Sequence, residues 1–127
     1  MNKEDLKSKI SEASYTVTQE HGTEAPFSGE LLDTKEEGIF TCICCGNKLF
    51  SSDTKYDSGT GWPSFWDVLN ENSVGEEIDE SHGMVRTEVH CQKCRAHLGH
   101  LFPDGPMPTG KRYCMNSVAM QFKKSDK

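Results

Sequence analysis

Cys42-Ile43-Cys44-Cys45-Gly46 and, far downstream, Cys91-Gln92-Lys93-Cys94 organise this chain. Each stretch carries a Cys-x-x-Cys pair, and together the two pairs supply the four soft ligands that a tetrahedral zinc takes. Gly46, directly after Cys45, lets the backbone turn so that amide groups point at the sulfurs. Four cysteine ligands close the coordination shell, so such a zinc is structural and ties the segment around Cys42 to the turn at Cys91. The competing reading makes one or both pairs redox dithiols or inert core cysteines. Two other cofactor signatures fail. A c-type haem requires Cys-x-x-Cys-His, and Arg95 follows Cys94. The zinc deaminase pattern requires His-x-Glu ahead of Pro-Cys-x-x-Cys, and His90-Cys91 supplies neither part.

The 127 residues predict one domain over 1–127 with a modest core. Only 34% of them are hydrophobic, with 11 Gly and 5 Pro, which suits a loop-rich fold held by a cross-link or a metal. Met1 to Lys7 is charged and lacks the apolar run of a signal peptide. No segment approaches the ~20 apolar residues that span a bilayer. The expectation is a cytoplasmic protein, in which thiols stay reduced and paired cysteines bind metal. A formal charge of −6, more negative still with zinc on four thiolates, disfavours nucleic acid.

Along the chain, Asn2 is placed to cap a helix, with Asp5 near the capping-box position and Leu6, Ile10 and Ala13 as its thin apolar face. Val17 to Leu32 reads as an irregular wrap broken by Gly22, Pro26 and Gly29. Gly38 to Phe50 predicts two short strands joined at the first cysteine pair. Asp57 to Gly61 is a loop, and Pro63 suits the first turn of a short helix running to Leu69. Met84 to His90 predicts a strand that delivers Cys91. Leu101 to Thr109 reads as a loop, Arg112 to Phe122 as the clearest strand, and Lys123 to Lys127 as a frayed end.

On an extended strand Arg112, Cys114 and Asn116 share one face, followed by Val118, Met120 and Phe122. A cation and an amide beside a thiol are the surroundings that lower its pKa from ~8.5 and activate it. A buried cysteine on a core strand would look the same. His97-Leu98-Gly99-His100 adds two imidazoles, and Asp104 a carboxylate, the usual partners of cysteine chemistry. His97 is equally readable as a packed residue. Trp62, after a glycine-rich loop, points to a shaped pocket or to a plain core aromatic.

These motifs together resemble the methionine-R-sulfoxide reductase B family. The resemblance rests on Cys42-x-x-Cys45-Gly46, Ser58-Gly59-Thr60-Gly61-Trp62-Pro63-Ser64-Phe65, Cys91-x-x-Cys94, His97-Leu98-Gly99-His100, Phe102-Pro103-Asp104-Gly105-Pro106 and Arg112-Tyr113-Cys114-x-Asn116-Ser117. Thr23-Glu24-x-Pro26-Phe27 matches that family's amino-terminal motif, and the match runs over about residues 4 to 122.

The resemblance implies a mainly β fold of two antiparallel sheets with short amino-terminal helices and one structural zinc. It implies that Cys114 attacks the sulfur of methionine-R-sulfoxide, free or in proteins, and is left as a sulfenic acid. His100 and His97 would protonate the leaving oxygen; Asn116 and Arg112 would hold the thiolate network, with Asp104 orienting it. Trp62, with Phe65 beside it, would receive the substrate's ε-methyl. The zinc ligands would be Cys42, Cys45, Cys91 and Cys94. The expected partners are oxidised proteins and thioredoxin or another thiol reductant, and the expected state is a monomer.

Thr60 occupies the place where many members carry a resolving cysteine, which leaves Cys44 as the one spare thiol. Cys44 is then either an unusual resolver or a bystander beside a zinc ligand. Two other functions compete: a non-catalytic zinc-ribbon-like binding module, and a thiol redox sensor in which oxidised Cys114 forms a disulfide.

Overall fold

A computed structural model describes residues 3–20, 22–29, 31–32, 34–80 and 83–124. Asn2 and residues 125–127, to which the sequence assigns a cap and part of a frayed end, lie outside the described residues. Two helices open the chain, α1 (Lys3–Lys9) and α2 (Glu12–Glu20). The expected single helix divides because Ser11 caps the second one, its Oγ accepting the Ser14 amide at 3.1 Å. Leu6 is buried as expected, but Ala13 is exposed and Ser14, Val17 and Thr18 form the buried face of α2. The irregular wrap therefore starts after Glu20, not at Val17.

Nine strands form two antiparallel sheets among the described residues. The smaller has the order β2-β1-β9, with β1 Gly38–Cys42, β2 Lys48–Ser51 and β9 Met120–Lys124. The larger has the order β3-β4-β8-β7-β6-β5. Its strands are β3 Lys55–Tyr56, β4 Ser64–Phe65, β5 Val74–Asp79, β6 Arg86–Cys91, β7 His97–Phe102 and β8 Arg112–Met115.

Four expectations give way to tertiary structure. The helix from Pro63 is absent; Pro63 instead accepts the Met115 amide at 2.9 Å, and Ser64–Phe65 runs extended between β3 and β8. This puts Phe65, fully buried, flat against Phe50 at 4.3 Å and edge-on to Phe40 at 5.0 Å, a gain no solvent-side helix would offer. The long strand from Arg112 breaks at a 3-10 turn over Ser117–Ala119 and crosses into the other sheet, so alternation ends at Asn116. Lys123 and Lys124 are not frayed but pair with Ile39 and Gly38. Leu101 and Phe102 belong to β7 rather than to a loop.

The core lies on the Phe65 and Tyr113 side of the larger sheet, with Phe40, Leu49, Phe50 and Met115. The other side carries the site. In β7 the partners of Val89 and His90 are Gly99 and His97, so Leu98 is an extra residue, and it is fully buried. Gly99 lies so close to β8 that an added Cβ would stand 2.1 Å from the Cys114 carbonyl oxygen. Gly99→Ala should therefore force β7 and β8 apart and cost about 3 kcal/mol. Chemical denaturation measures it, and an unchanged midpoint would contradict the close packing.

Candidate active site and thiol cluster

A row of directly paired residues crosses the larger sheet: Ser64 opposite Cys114, Cys114 opposite His100, His100 opposite Glu88. Paired residues share a face, so β4, β8, β7 and β6 present these four side chains together. Arg112 and Phe102 form the next pair on that face, and Arg86 is two residues from Glu88. Above the row is a cavity of about 90 Å³ whose wall includes Cys114, His100, Asn116 and Trp62 with Thr23, Arg86 and Phe102.

His97 and His100 are three apart and would point to opposite faces of a regular strand. The extra residue at Leu98 brings them together, with ring centroids 5.5 Å apart. His97 is fully enclosed behind the cavity, and its Nδ1 is 2.5 Å from Glu88 Oε1. His100 Nε2 is 2.8 Å from Asp79 Oδ2, and Arg86 Nη2 approaches the same oxygen at 3.4 Å. Asp104, expected to orient the catalytic network, touches neither imidazole in these contacts. It stands exposed and takes a two-pronged hydrogen bond from Arg112, Nε to Oδ1 at 2.8 Å and Nη2 to Oδ2 at 3.2 Å. That guanidinium holds the Asp104 carboxyl below its ordinary range and lies over the Phe102 ring at 4.3 Å.

Cys114 departs from the expected lowered thiol. Burial pushes its pKa up, and this outweighs the Arg112 charge and the hydrogen bonds from Thr60 and Arg112 that favour the thiolate. Thr60 is thus directly against the thiol. Its hydroxyl is held by Ser58, whose Oγ sits 2.8 Å from Thr60 and 2.7 Å from Ser64. Tyr56 is a further neighbour, close enough for Arg112, Asp104 and Cys114 to act on its phenol.

An amino-terminal strap fixes the remaining wall. The Trp62 indole N–H donates to the Glu24 carbonyl at 3.0 Å, the Glu24 amide donates to Asn116 Oδ1 at 3.0 Å, and the Val118 amide donates to Glu24 Oε1 at 3.0 Å. Burial raises the Glu24 carboxyl above its ordinary range, against the backbone hydrogen bonds from Val118 and Ser117. Asn116 donates in turn to the Leu98 carbonyl at 2.9 Å. Its amide therefore ties the strap to β7 while its edge lines the cavity. Phe65, expected beside Trp62, lies in the core; Phe102 is the phenylalanine on the cavity wall.

Away from this cavity, the Sγ atoms of Cys42, Cys45, Cys91 and Cys94 lie within 4.8 Å of one another. Cys42 and Cys94 are 3.6 Å apart, as are Cys45 and Cys91. The two Cys-x-x-Cys turns repeat one geometry: Gly46 donates to the Cys42 carbonyl at 2.9 Å and Arg95 to that of Cys91 at 2.8 Å. Gly46 and Arg95 both take positive φ, 79° and 64°. The glycine was readable in sequence; the arginine in the same conformation was not. β1 ends at Cys42 in one sheet and β6 at Cys91 in the other, so the cluster joins the sheets. Cys44 is buried among Cys42, Cys94, Thr18 and Gln19, whose Nε2 is 3.6 Å from its sulfur, and it is not on the cavity wall.

Sequence reasoning missed Asp79, Arg86 and Glu88. They sit on a hairpin whose charged strand β5 shows no clean alternation, so only the register reveals where they point.

Comparison with known proteins bears on this geometry. The SelR domain matches residues 10–124. The peptide methionine sulfoxide reductase MsrB of Hahella chejuensis (strain KCTC 2396) is 54% identical over 123 residues, covering 97% of this chain and 88% of that protein. The MsrB of Escherichia coli O45:K1 (strain S88 / ExPEC) is 56% identical over 119 residues, covering 94% and 87%. Among solved structures, the Mis18 "Yippee-like" domain superposes with a TM-score of 0.58, covering 72% of this chain and 100% of that one. At 20% identity that likeness concerns the fold alone. The chain belongs to the SelR-domain family of MsrB peptide methionine sulfoxide reductases.

Proposed function

We propose that this enzyme reduces the R epimer of methionine sulfoxide, free and in proteins, through a sulfenic acid on Cys114. Family membership removes the non-catalytic binding module as a reading of the chain. The observation that carries the proposal is Cys114 paired with His100 on one cavity wall that Trp62 completes. Cys114 sulfur attacks the sulfoxide sulfur. The thiol proton passes through His100, backed by His97, to the sulfoxide oxygen, which moves to the Cys114 sulfur as the substrate S–O bond and the transient S–S bond break, and methionine leaves with both electrons of its sulfur restored. The oxygen remains on Cys114 as S–OH. Trp62, its indole N–H anchored to Glu24, offers a fixed apolar face for the ε-methyl, so the two epimers differ in where their oxygen falls.

Two equivalents of an external thiol, from thioredoxin or a small thiol, return Cys114 to the reduced state. Support comes from Thr60, which cannot form a disulfide, and from Cys44, whose neighbours are the other thiols and α2. None of the six cysteines is in a disulfide, in keeping with a reducing cytoplasm, and no described helix is long and apolar enough to cross a membrane. The physiological role is repair of oxidised methionine during oxidative stress, with the chain acting as a monomer.

The four-thiol cluster holds one structural zinc. A tetrahedral ion with Zn–S of ~2.3 Å sets sulfurs about 3.8 Å apart, which the 3.6 Å pairs match. Asn47 Nδ2 donates to Cys91 Sγ at 3.7 Å, the kind of contact that steadies a ligand thiolate.

Cys114→Ser should abolish turnover of the R epimer with a dithiol reductant while leaving thermal stability unchanged; substantial residual turnover would sink the assignment. Because burial raises the Cys114 pKa, the thiol stays protonated at neutral pH. Its alkylation should then accelerate through a pH above the ordinary thiol range. Arg112→Met should push that midpoint higher and slow alkylation at fixed pH, about tenfold for every pH unit the midpoint moves. A midpoint below the ordinary range would contradict this. Elemental analysis should find one zinc per chain, and Cys45→Ser should lose it together with several degrees of Tm, at roughly 4–8 °C per kcal/mol in a small domain. A metal-free wild type of equal stability would rule the structural zinc out.

A further inference from the structure

The carboxylate on His100 comes from β5, the far edge of the sheet, and belongs to no motif that identifies the family in this sequence. Asp79 is paired with Arg86 in the register at the turn end of the β5–β6 hairpin, and both stand on the face that carries Glu88, His100 and Cys114. Asp79 Oδ2 is shared: His100 Nε2 lies at 2.8 Å and Arg86 Nη2 at 3.4 Å. All three side chains are largely withdrawn from water, with 12% of His100, 20% of Asp79 and 24% of Arg86 exposed. Arg86 also lines the reaction cavity, and its buried Nε has no hydrogen-bond partner among the described residues. A buried guanidinium N–H left without an acceptor on the wall of a substrate cavity is an available donor.

We propose that Asp79 is a positioning residue for the reduction and Arg86 a substrate-binding one: Asp79 fixes His100 in the Nε2–H tautomer, and Arg86 presents Nε–H to an oxygen of the bound substrate. This rests on the reading that His100 serves the sulfoxide oxygen. An ionised carboxylate only accepts, so the nitrogen facing it must carry the proton. Nδ1 is then the basic nitrogen of the neutral ring, the one that takes the proton of the reaction and gives it back. Cys114 stands directly across the strand pair. The guanidinium is a second donor to the same oxygen, which therefore accepts from both partners. Glu88 plays the corresponding part for His97, bound through Nδ1, so the two imidazoles are held by opposite nitrogens. Among the described residues, the charged or titratable groups around His100 are Asp79 on β5, Arg86 and Glu88 on β6, His97 on β7 and Cys114 on β8.

Nitrogen-15 spectra of the histidine rings in the full-length wild-type protein, assigned with His100→Ala, read the tautomer directly. The proposal predicts that His100 carries its proton on Nε2; a wild-type Nδ1–H tautomer overturns it, whether or not any variant folds. Asp79→Asn should lower kcat about tenfold or more with KM little changed and should give a mixed His100 tautomer, with partial recovery of rate in Asp79→Glu. Arg86→Lys, which retains the charge but not Nε–H, should raise KM for methionine-R-sulfoxide more than it lowers kcat. Folded Asp79→Asn with wild-type kcat, or Arg86→Lys with wild-type KM, overturns the corresponding part. His100→Ala separates the two levels: if it retains turnover, the reading of His100 itself fails. If it is inactive while Asp79→Asn is not, only the positioning role fails.

Discussion

The extra residue in β7 is the constraint on which the site depends. Were Leu98 a regular ladder position opposite His90 instead of an extra residue, His97 would turn to the core face while His100 stayed above it. With it, two imidazoles 5.5 Å apart stand beside Cys114, each with its own carboxylate from the hairpin that closes the sheet. Gly99 follows immediately because β7 and β8 approach too closely there for any side chain. The bulge and the glycine act as one device: the first sets which way the histidines point, and the second sets how near they come to the thiol strand.

Around that device the chain divides its work between two fastenings. The four-thiol cluster joins the end of β1 to the end of β6 and so fixes one sheet against the other, remote from the cavity. The strap from Thr23 to Phe27 fixes the cavity itself, since the Glu24 backbone and carboxyl hold Trp62, Asn116 and the Ser117–Ala119 turn at once. A small core could not hold such a site by hydrophobic burial alone, and these polar and thiol cross-links supply the rigidity it lacks.

Local patterns in the sequence reveal the parts built from local rules. The Cys-x-x-Cys turns, the hairpin around them, the strand into Cys91 and the cluster of Arg112, Cys114 and the histidines can all be found from spacing. Pairing over long sequence distances is not visible that way. Ser64–Phe65 is too short to announce a strand, and its conformation is decided by Tyr113 and Phe50. Asp79, Arg86 and Glu88 carry no motif, and it is register that aims them at the histidines. The Cys114 pKa also inverts the expectation, because neighbouring charge is legible in a strand whereas burial is a property of the whole fold.

On the proposed chemistry, Cys114 itself takes the oxygen and no second thiol of the chain removes it. Mass spectrometry of the fully reduced enzyme after one stoichiometric turnover of methionine-R-sulfoxide, without reductant and with a sulfenic-acid trap, reads this out in a single step. One added oxygen should be trapped on Cys114, with Cys44 and the other thiols unmodified. A Cys44–Cys114 disulfide, or an unmodified Cys114 after methionine has been released, would contradict it.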